Sequence, residues 1–277
     1  MTVRRRDDIE ALEIDLLVQA VYEGYGYDFR QYSRPSLRRR IWRRVEAEGV
    51  VTVSALLDRV LHDPAAVQRL ISDLSVSVSA MFRDPTFFSV FREKVVPALR
   101  TYPFIRIWNA GCSTGEETYS IAILMRECGL YDRTRIYATD MNEAALDHAR
   151  SGAFPIVKMR EYTANYIAAG GTRPFSEYYV ADGDRVAFSP SLIENVVFAQ
   201  HNLVTDRSFN EFQVIMCRNV MIYFDRDLQG RVHDLLHESL VHFGVLGLGN
   251  RESLTFTSHA NDYERLDDEH QLWRKVR

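Results

Sequence analysis

Strand-like and helix-like segments alternate along the second half of the sequence. Short strand-like runs occur at 105–108, 135–139, 196–200, 212–217 and 244–248. Helical patterns lie between several of them, at 116–128, 143–150 and 226–242. Alternation of this kind is typical of an α/β fold, in which a mostly parallel sheet carries helices on both faces. The last residues, HQLWRKVR, alternate well enough to predict a final antiparallel strand at the sheet edge.

A different pattern interrupts this alternation before the third strand-like run. The segment SEYYVADGDRVAFS alternates around a DGD turn, which is typical of a β-hairpin. We therefore predict a small β-subdomain inserted at about 172–190. The whole chain is predicted to consist of a helical domain (1–75), a linker with one helix (76–100) and the α/β domain (101–277).

The N-terminal part has the periodicity of four short helices. In the first, Ile9, Leu12 and Leu16 recur at helical spacing and predict an apolar face. The third helix fits TVSALLDRVLHD, with Thr52 or Ser54 as its N-cap. The fourth begins at DPAAVQRLISDL, where an aspartate precedes a proline at the first helical position. Local patterns thus account for a compact helical domain.

The second helix of this part is strongly basic. Leu37, Ile41 and Val45 recur every four residues and predict a buried stripe. From residue 34 to residue 44 the other faces carry arginines and no acid. These arginines are Arg34, Arg38, Arg39, Arg40, Arg43 and Arg44. Such a helix is either an ordinary solvated surface or a docking surface for an acidic macromolecule.

Composition is that of a globular enzyme, with 46% hydrophobic and 26% charged residues. The net charge of −4 disfavours a general nucleic-acid binder. Three cysteines without paired spacing indicate reduced thiols, as in a cytosol. Neither a secretory signal nor an apolar run long enough for a membrane span is visible. We therefore expect a cytoplasmic protein that does not insert into membranes.

The loop after the first predicted strand, in WNAGCSTGEETYSIAI, is rich in small residues. Gly111 and Gly115 permit a tight turn and close approach to a ligand. A dinucleotide site would need the spacing G-x-G-x-x-G and no acids at the helix start, whereas Glu116 and Glu117 would repel a pyrophosphate. Carboxylates at this position favour a cationic ligand, and S-adenosylmethionine carries both an ammonium and a sulfonium.

Three other loops follow strands of the predicted sheet and carry polar residues. Asp140 ends YATD and is suited to accept hydrogen bonds from ribose hydroxyls. Asn202 in QHNL can pair with an adenine edge, and CRNVMIYF places a polar pair and a tyrosine after the fourth strand. Ligands of open α/β sheets bind beyond the carboxyl ends of the strands. A purely structural interpretation is also available for each, because Asp140 can cap the next helix and the tyrosine can belong to the core.

Taken together, STGEETYSIAI, ATDMNEAALDHARSGAF, CRNVMIYFDRDLQ and FRDPTFF, behind an arginine-rich helical domain, resemble the chemotaxis receptor glutamate methyltransferases, the CheR family. The resemblance covers nearly the whole chain. It implies an all-α N-terminal domain and a Rossmann-like S-adenosylmethionine-dependent methyltransferase domain with an inserted β-subdomain. Methyl transfer to receptor glutamates would give methyl esters and S-adenosylhomocysteine, for signalling adaptation.

The resemblance also implies roles for individual residues. Arg83 and Tyr223 would act at the reacting centre, Arg83 by positioning a carboxylate. Glu117 would hold the methionine ammonium, Asp140 the ribose, and Asn202 with Leu203 the adenine side. The other implied cofactor contacts are Ser77, Ser79, Arg83, Gly111, Arg218 and Asn219. Ser77 and Ser79 stand where other members have asparagine and threonine, so the hydrogen bonds there would differ.

The implied partners are the cytoplasmic domains of methyl-accepting chemotaxis receptors, whose acidic helices would be attracted by Arg38, Arg39 and Arg43. Two alternatives stay open. One is methylation of another target, such as RNA or a different signalling protein. The other is a module that binds the cofactor or a receptor without catalysis.

Histidines at 233, 237 and 242 suggest metal ligands at first sight, because the first two share a helix face. No carboxylate or cysteine completes a known ligand spacing, so a solvated helix and no metal site are the prediction.

Overall fold

The computed structural model describes residues 6–75, 79–255 and 257–277. Contacts divide the chain into two compact units. The first contains Met1–Val76 together with Tyr223–Arg231, and the second contains Ser77–Ile222 together with Val232–Arg277. A short segment late in the sequence therefore packs with the N-terminal helices. Ser77, a predicted cofactor contact, lies outside the described residues.

The first unit contains four helices near the N-terminus. They are α1 (Arg6–Tyr25), α2 (Arg34–Ala47), α3 (Val53–His62) and α4 (Pro64–Leu74). The predicted stripe of α2 is confirmed, since Leu37, Ile41 and Val45 are buried. The predicted caps are also confirmed, because Thr52 accepts a hydrogen bond from the Ala55 amide and the aspartate before α4 caps that helix. Local sequence signals are sufficient for these features.

The predicted apolar face of α1 is wrong. Ile9, Leu12 and Leu16 are 43–50% exposed. The helix instead buries the face that contains Leu17 and Val21, which are fully buried. Both sets recur at helical spacing, so periodicity alone does not decide which set meets α3, the helix with which α1 makes extensive contact.

Glu48, directly after α2, is the centre of an ion-pair network. Its carboxylate accepts hydrogen bonds from Arg69 at 2.7 Å, Arg59 at 3.0 Å and Arg44 at 3.3 Å. The Arg69 guanidinium, followed by those of Arg59 and Arg44, holds the pKa of Glu48 at about 2, against the opposing effect of burial. The ionised carboxylate therefore links three elements of the helical unit.

Replacing Glu48 with glutamine is expected to lower the free energy of unfolding at pH 7 by roughly 1–2 kcal/mol, after allowance for screening by solvent. The folded pKa of about 2 lies below the ordinary 4.5, so the contribution is complete above pH 4.5 and is lost as the pH falls through 2. Urea unfolding followed by circular dichroism should therefore separate wild type from Glu48→Gln at pH 7 but not at pH 2. Glu46→Gln, at an exposed position of α2, is the control. A difference that persisted at pH 2 would contradict the assignment.

The second unit is an α/β structure around a seven-stranded sheet. Its strands are β1 (Ile105–Ala110), β2 (Thr134–Asp140), β6 (Val196–Gln200), β7 (Phe212–Cys217), β8 (Leu240–Leu248), β9 (Tyr263–Arg265) and β10 (Leu272–Lys275). The order is β6-β2-β1-β7-β8-β10-β9. The first five are parallel, as predicted, and β10 and β9 are antiparallel. The predicted edge position of the last strand is wrong, because the short β9 pairs outside β10 and forms the edge.

Helices cover this sheet. They are α5 (Pro85–Lys94), α6 (Val96–Leu99), α7 (Glu116–Glu127), α8 (Glu143–Ser151), α9 (Met159–Ala168) and α10 (Arg226–Ser239), the last of which starts in the first unit. Phe87, Phe88 and Phe91 of α5 join strand residues such as Ile107 and Met216 in the main core. Within the described residues, no helix has the length and apolar character needed to cross a bilayer.

A separate three-stranded antiparallel sheet forms the small lobe. Its strands are β3 (Ala153–Pro155), β4 (Tyr179–Asp182) and β5 (Arg185–Phe188), in the order β3-β5-β4. The hairpin β4–β5 matches the DGD turn signal. The lobe is larger than the predicted range 172–190, because it also includes β3. This strand pairs with β5 although α9 lies between the two in the sequence. Three residues are too few for a detectable alternation, which is why β3 was not predicted.

Candidate active site

The strand order brings four loops to the same edge of the main sheet. β6, β2, β1 and β7 are adjacent and parallel, so their carboxyl ends lie side by side. The loops that follow them carry the polar residues singled out from the sequence. An edge of this kind is where open α/β sheets bind ligands.

The two glycines of the β1–α7 loop are required by packing. Gly111 has a φ of 76°, and a Cβ there would lie 2.5 Å from a methyl carbon of Val220. Gly115 has a φ of 97°, and a Cβ there would lie 2.7 Å from the Cβ of Ala149. Packing is thus a second reason for glycine at position 111, beside the predicted close approach to a ligand. The absence of a Cβ at Gly111 lets Val220, in the loop after β7, pack against the β1 loop.

The two glutamates that open α7 have different surroundings. Glu116 is only 7% exposed, and its carboxylate accepts hydrogen bonds from the hydroxyls of Thr114 at 2.7 Å and Tyr162 at 3.3 Å. Glu117 is half-buried, and its Oε2 accepts a hydrogen bond from Arg218. Its Oε1 accepts none from residues that the structure describes. Glu117 therefore has a free acceptor, whereas Glu116 is occupied inside the protein.

Arg218, at the end of β7, joins three segments. Its fully buried guanidinium lies 2.6 Å from Glu117 Oε2 and 2.8 Å from Asp84 Oδ2. It also donates to the Arg83 carbonyl at 3.1 Å and lies 4.1 Å from the Phe87 ring centroid. A buried cation with two carboxylates and an aromatic face is well compensated. Sequence analysis missed Asp84, although FRDPTFF contains it, because no local pattern marks an aspartate that pairs 134 residues away.

The backbone around Arg83 is strained. Phe82 and Asp84 have φ values of 49° and 56°, in the left-handed region that residues other than glycine rarely adopt. The Phe82 amide donates to Ser120 Oγ at 2.8 Å, and Asp84 is held by Arg218, so both are fixed by partners. Residues in this conformation are concentrated at functional sites. Here two of them flank the half-buried Arg83.

Asp140, at the end of β2, fixes the β1 loop. Its Oδ2 accepts a hydrogen bond from the Ser113 amide and its Oδ1 one from the Asn142 amide, both at 2.9 Å. Burial raises the pKa of Asp140, and these backbone donors oppose the rise. The structural alternative, in which Asp140 caps the following helix, is not what the structure shows, because Asn142 takes that position. The Asp140 carboxylate instead connects the end of β2 to the β1 loop.

Asn202 follows β6 in a tight turn. Its Oδ1 accepts a hydrogen bond from the Val204 amide at 3.0 Å, and its own amide donates to Asp206 at 2.9 Å. The side-chain carbonyl therefore accepts one hydrogen bond within the turn, whereas the NH2 group donates none to a residue that the structure describes. Leu203 is half-buried in the same turn.

Two buried oxygens near these loops lack hydrogen-bond partners among the described residues. They are Asn109 Oδ1, at the end of β1, and Ser113 Oγ, in the following loop. Buried acceptors without donors are costly, so a ligand that supplies donors would satisfy them. The same region contains the carboxylates of Glu117 and Asp140. A ligand with positive charge and N–H or O–H donors, as S-adenosylmethionine has, therefore fits the residues present.

A glutamate that sequence analysis did not identify holds the loop after β7. Glu252 is 5% exposed, and its two oxygens accept four backbone N–H groups at 2.7–2.9 Å. The donors are Asn219, Val220, Met221 and Gly249. Asn219 has a φ of 61°, a conformation that asparagine tolerates better than most residues. Asn219 is therefore favoured by its backbone conformation as well as by any contact with a cofactor. In sequence, Glu252 resembles any surface glutamate.

Replacing Glu252 with glutamine is expected to lower the free energy of unfolding by about 2–4 kcal/mol, because an NH2 group would leave two buried N–H groups without an acceptor. Urea unfolding at pH 7 would measure this loss. Glu238→Gln on α10, where the side chain is exposed, should change it by less than about 0.5 kcal/mol. Equal effects of the two substitutions would contradict the role given to Glu252.

The remaining predicted site residues have diverse surroundings. Ser79 is half-buried. Tyr223 is half-buried and belongs to the helical unit. Of the three predicted docking arginines, Arg38 pairs with Glu10 and Arg43 with Asp73. Arg39 is exposed and has no ion-pair partner among the residues described. The basic face of α2 is thus partly neutralised within its own unit, though exposed pairs of this kind are weak.

The histidines of α10 are not simply solvated. His233 is 3% exposed, and burial lowers its pKa to about 4, so it is a neutral core imidazole at pH 7. His237 stacks on His259, with ring centroids 3.9 Å apart and planes at 9°. Donor atoms of His237, His259 and Asp262 lie within 4.8 Å of one another. Because each nitrogen lone pair lies in the plane of its ring, the lone pairs of the two stacked imidazoles lie in separate, nearly parallel planes and do not point at one shared ion.

Comparison with known proteins gives matches over nearly the whole chain. Residues 77–271 match the family described as CheR methyltransferase, SAM binding domain, and residues 12–75 match CheR methyltransferase, all-alpha domain. The protein Cher3 of Pseudomonas putida is 50% identical over 99% of this chain and 100% of its own length. Chemotaxis protein methyltransferases of Listeria innocua and Salmonella typhimurium are 29% and 28% identical, over 89% and 92% of this chain and 92% and 85% of their own lengths.

Proposed function

Because the chain belongs to the CheR methyltransferase family of chemotaxis, whose cofactor is S-adenosylmethionine, we propose that it methylates glutamate side chains on the cytoplasmic domains of chemotaxis-type receptors. The observation that carries the proposal is the Glu117–Arg218–Asp84 network beside the β1 loop. In this network Arg218 binds Glu117 Oε2, and Glu117 Oε1 has no donor among the described residues. Asn109 Oδ1 and Ser113 Oγ also lack partners among these residues. A cationic methyl donor matches that environment better than a phosphate-bearing cofactor does.

We assign the cofactor contacts as follows. Glu117 Oε1 accepts from the methionine ammonium, while Arg218 keeps the Glu117 side chain in place. Asp140 receives the ribose hydroxyls, and Asn202 offers its NH2 group on the adenine side next to Leu203. Ser77, Ser79, Gly111 and Asn219 border the same ligand.

The reaction needs no general base. When bound, S-adenosylmethionine supplies a methyl carbon activated by a positively charged sulfur. The substrate glutamate is already ionised at pH 7, since its ordinary pKa is about 4.3. With the donor bound, transfer would join this carboxylate oxygen to the methyl carbon and break the carbon–sulfur bond, which would leave the electron pair on sulfur and move no proton. Catalysis therefore consists mainly of alignment, in which Arg83 orients the carboxylate and Tyr223 hydrogen-bonds near the reacting centre.

Incubation with methyl-labelled S-adenosylmethionine and receptor cytoplasmic fragments tests the proposal. We expect base-labile label on receptor glutamates, and none on a fragment whose acceptor glutamates are replaced by alanine. Excess RNA, added as a second acceptor, should take up no label. Cofactor binding without transfer to any receptor fragment would instead support a non-catalytic module.

The exposed Arg39 is proposed to attract the acidic receptor helices, together with Arg38 and Arg43 once their internal pairs exchange for receptor carboxylates. Attraction between exposed charges weakens as salt is added. The receptor KM of the wild type should accordingly rise with ionic strength.

A further inference from the structure

Tyr223 is held by the backbone of the N-terminal unit. Its carbonyl accepts a hydrogen bond from the Ser33 amide at 2.8 Å, and the Asp225 amide donates to the Gln31 carbonyl at 2.9 Å. These bonds flank an isolated antiparallel bridge between the two segments. The segment that begins at Tyr223 is therefore hydrogen-bonded to the residues that immediately precede α2 in the sequence.

A cationic group faces the side chain of Tyr223. Arg40 of α2 places its guanidinium carbon 4.6 Å from the centroid of the Tyr223 ring. The same guanidinium donates to the Leu74 carbonyl at 2.8 Å, and Arg40 is only 8% exposed. Arg40 thus lies between the end of α4 and the tyrosine ring.

Arg40 differs from most of the other arginines of α2. Arg34, Arg38, Arg43 and Arg44 each pair with a carboxylate. Arg40 is buried but pairs with no carboxylate of the described residues. Burial of a guanidinium without a counter-ion costs free energy, and a carbonyl and an aromatic face offset only part of it. A neutral donor would suffice for the Leu74 carbonyl, so the hydrogen bond at the end of α4 does not by itself account for a charged group at this position.

We propose that Arg40 is a positioning residue for Tyr223 in methyl transfer, an inference that rests on the proposed function. The guanidinium fixes the ring plane, and its charge withdraws electron density from the phenol. A phenol polarised in this way is a stronger hydrogen-bond donor to an anionic acceptor. The ring is also a poorer partner for a second cation, because one cation already faces it. Tyr223 therefore acts through its hydroxyl on the substrate carboxylate and not through its ring on the sulfonium.

A double-mutant cycle tests this inference. Arg40→Met and Tyr223→Phe should each lower kcat by roughly tenfold or more, the size expected for a hydrogen bond to a charged group, and the KM for S-adenosylmethionine should stay within about twofold. The double variant should be no slower than Tyr223→Phe, because Arg40 acts through the hydroxyl. Arg40→Lys keeps the charge and should recover part of the rate. Independent, multiplicative effects of the two substitutions would overturn the proposal.

Glu48→Gln is the structural control, since it weakens the same unit without contact to Tyr223. Its kcat should remain within about twofold of wild type, and a loss as large as that of Arg40→Met would mean that stability alone explains the effect. A second measurement needs no acceptor protein. In NMR spectra of ring-labelled tyrosine, the signal absent from Tyr223→Phe should shift in Arg40→Met and not in Glu48→Gln. An unchanged signal would refute the contact, whereas failure of receptor methylation by wild type alone would refute the proposed function.

Discussion

Arg218→Met is expected to lower the free energy of unfolding by about 3–5 kcal/mol. The side chain is fully buried and pairs with Glu117 at 2.6 Å and Asp84 at 2.8 Å. Removal of the cation leaves two partly buried carboxylates that repel each other. Methionine fills a similar volume and can contact Phe87. The decrease in the free energy of unfolding therefore reflects the lost charge more than lost packing. Urea unfolding at pH 7 would measure it.

Two further variants make this result decisive. Arg160→Met, at an exposed position of α9, should change the free energy of unfolding by less than about 0.5 kcal/mol. Addition of Asp84→Asn and Glu117→Gln to Arg218→Met removes both unpaired charges and should restore part of the lost stability. Without such recovery, the ion-pair network would not be the reason for the loss. Cofactor binding should not recover, because Glu117 is then neutral.

Asp140→Asn is expected to raise the Kd for S-adenosylhomocysteine by roughly 10- to 100-fold. Hydrogen bonds to a charged group contribute about 1.5–3 kcal/mol, and the ribose hydroxyls would lose such an acceptor. The substitution also places an NH2 group against one of the two backbone amides, of Ser113 and Asn142, that now donate to the carboxylate. Isothermal titration calorimetry would measure the change. The product is the suitable ligand because it does not react during the titration.

Asp147→Asn on α8 is the matched control, since this exposed carboxylate pairs only with Arg150 among the residues described. Its Kd should equal that of wild type within about twofold. If Asp140→Asn bound the product as tightly as the control, the assignment of Asp140 to the ribose would have to be abandoned.

Much of the fold was predictable because its determinants are local. Strands β1 and β7 are runs of mostly buried residues. The stripe of α2 and the caps of α3 and α4 depend on neighbours within one or two turns. The family resemblance was recognised from the sequence motifs of several loops. The predictions were wrong for α1, where two apolar faces have equivalent helical spacing. They also missed β3 and β9, because these strands are too short to show an alternating pattern.

Local motifs predicted only some of the residues of the candidate site. Glu117, Asp140 and Arg218 are named by motifs, yet nothing in those motifs states that Arg218 pairs with Glu117, 101 residues away, or with Asp84, 134 residues away. Glu252 and Arg40 have no motif of their own. The role of each residue depends on a partner that folding brings into contact with it. For Glu252 this partner is the β7 loop, and for Arg40 it is Tyr223.

The amino-acid sequence by itself therefore determined the elements, their parallel arrangement and the class of ligand, because these depend on residues close together along the chain. Tertiary structure alone decided which carboxylates are neutralised, which oxygens remain free and which arginine faces the tyrosine. The physical reason is that burial and charge pairing depend on distances in space, and these are set by the packing of segments that lie far apart in sequence.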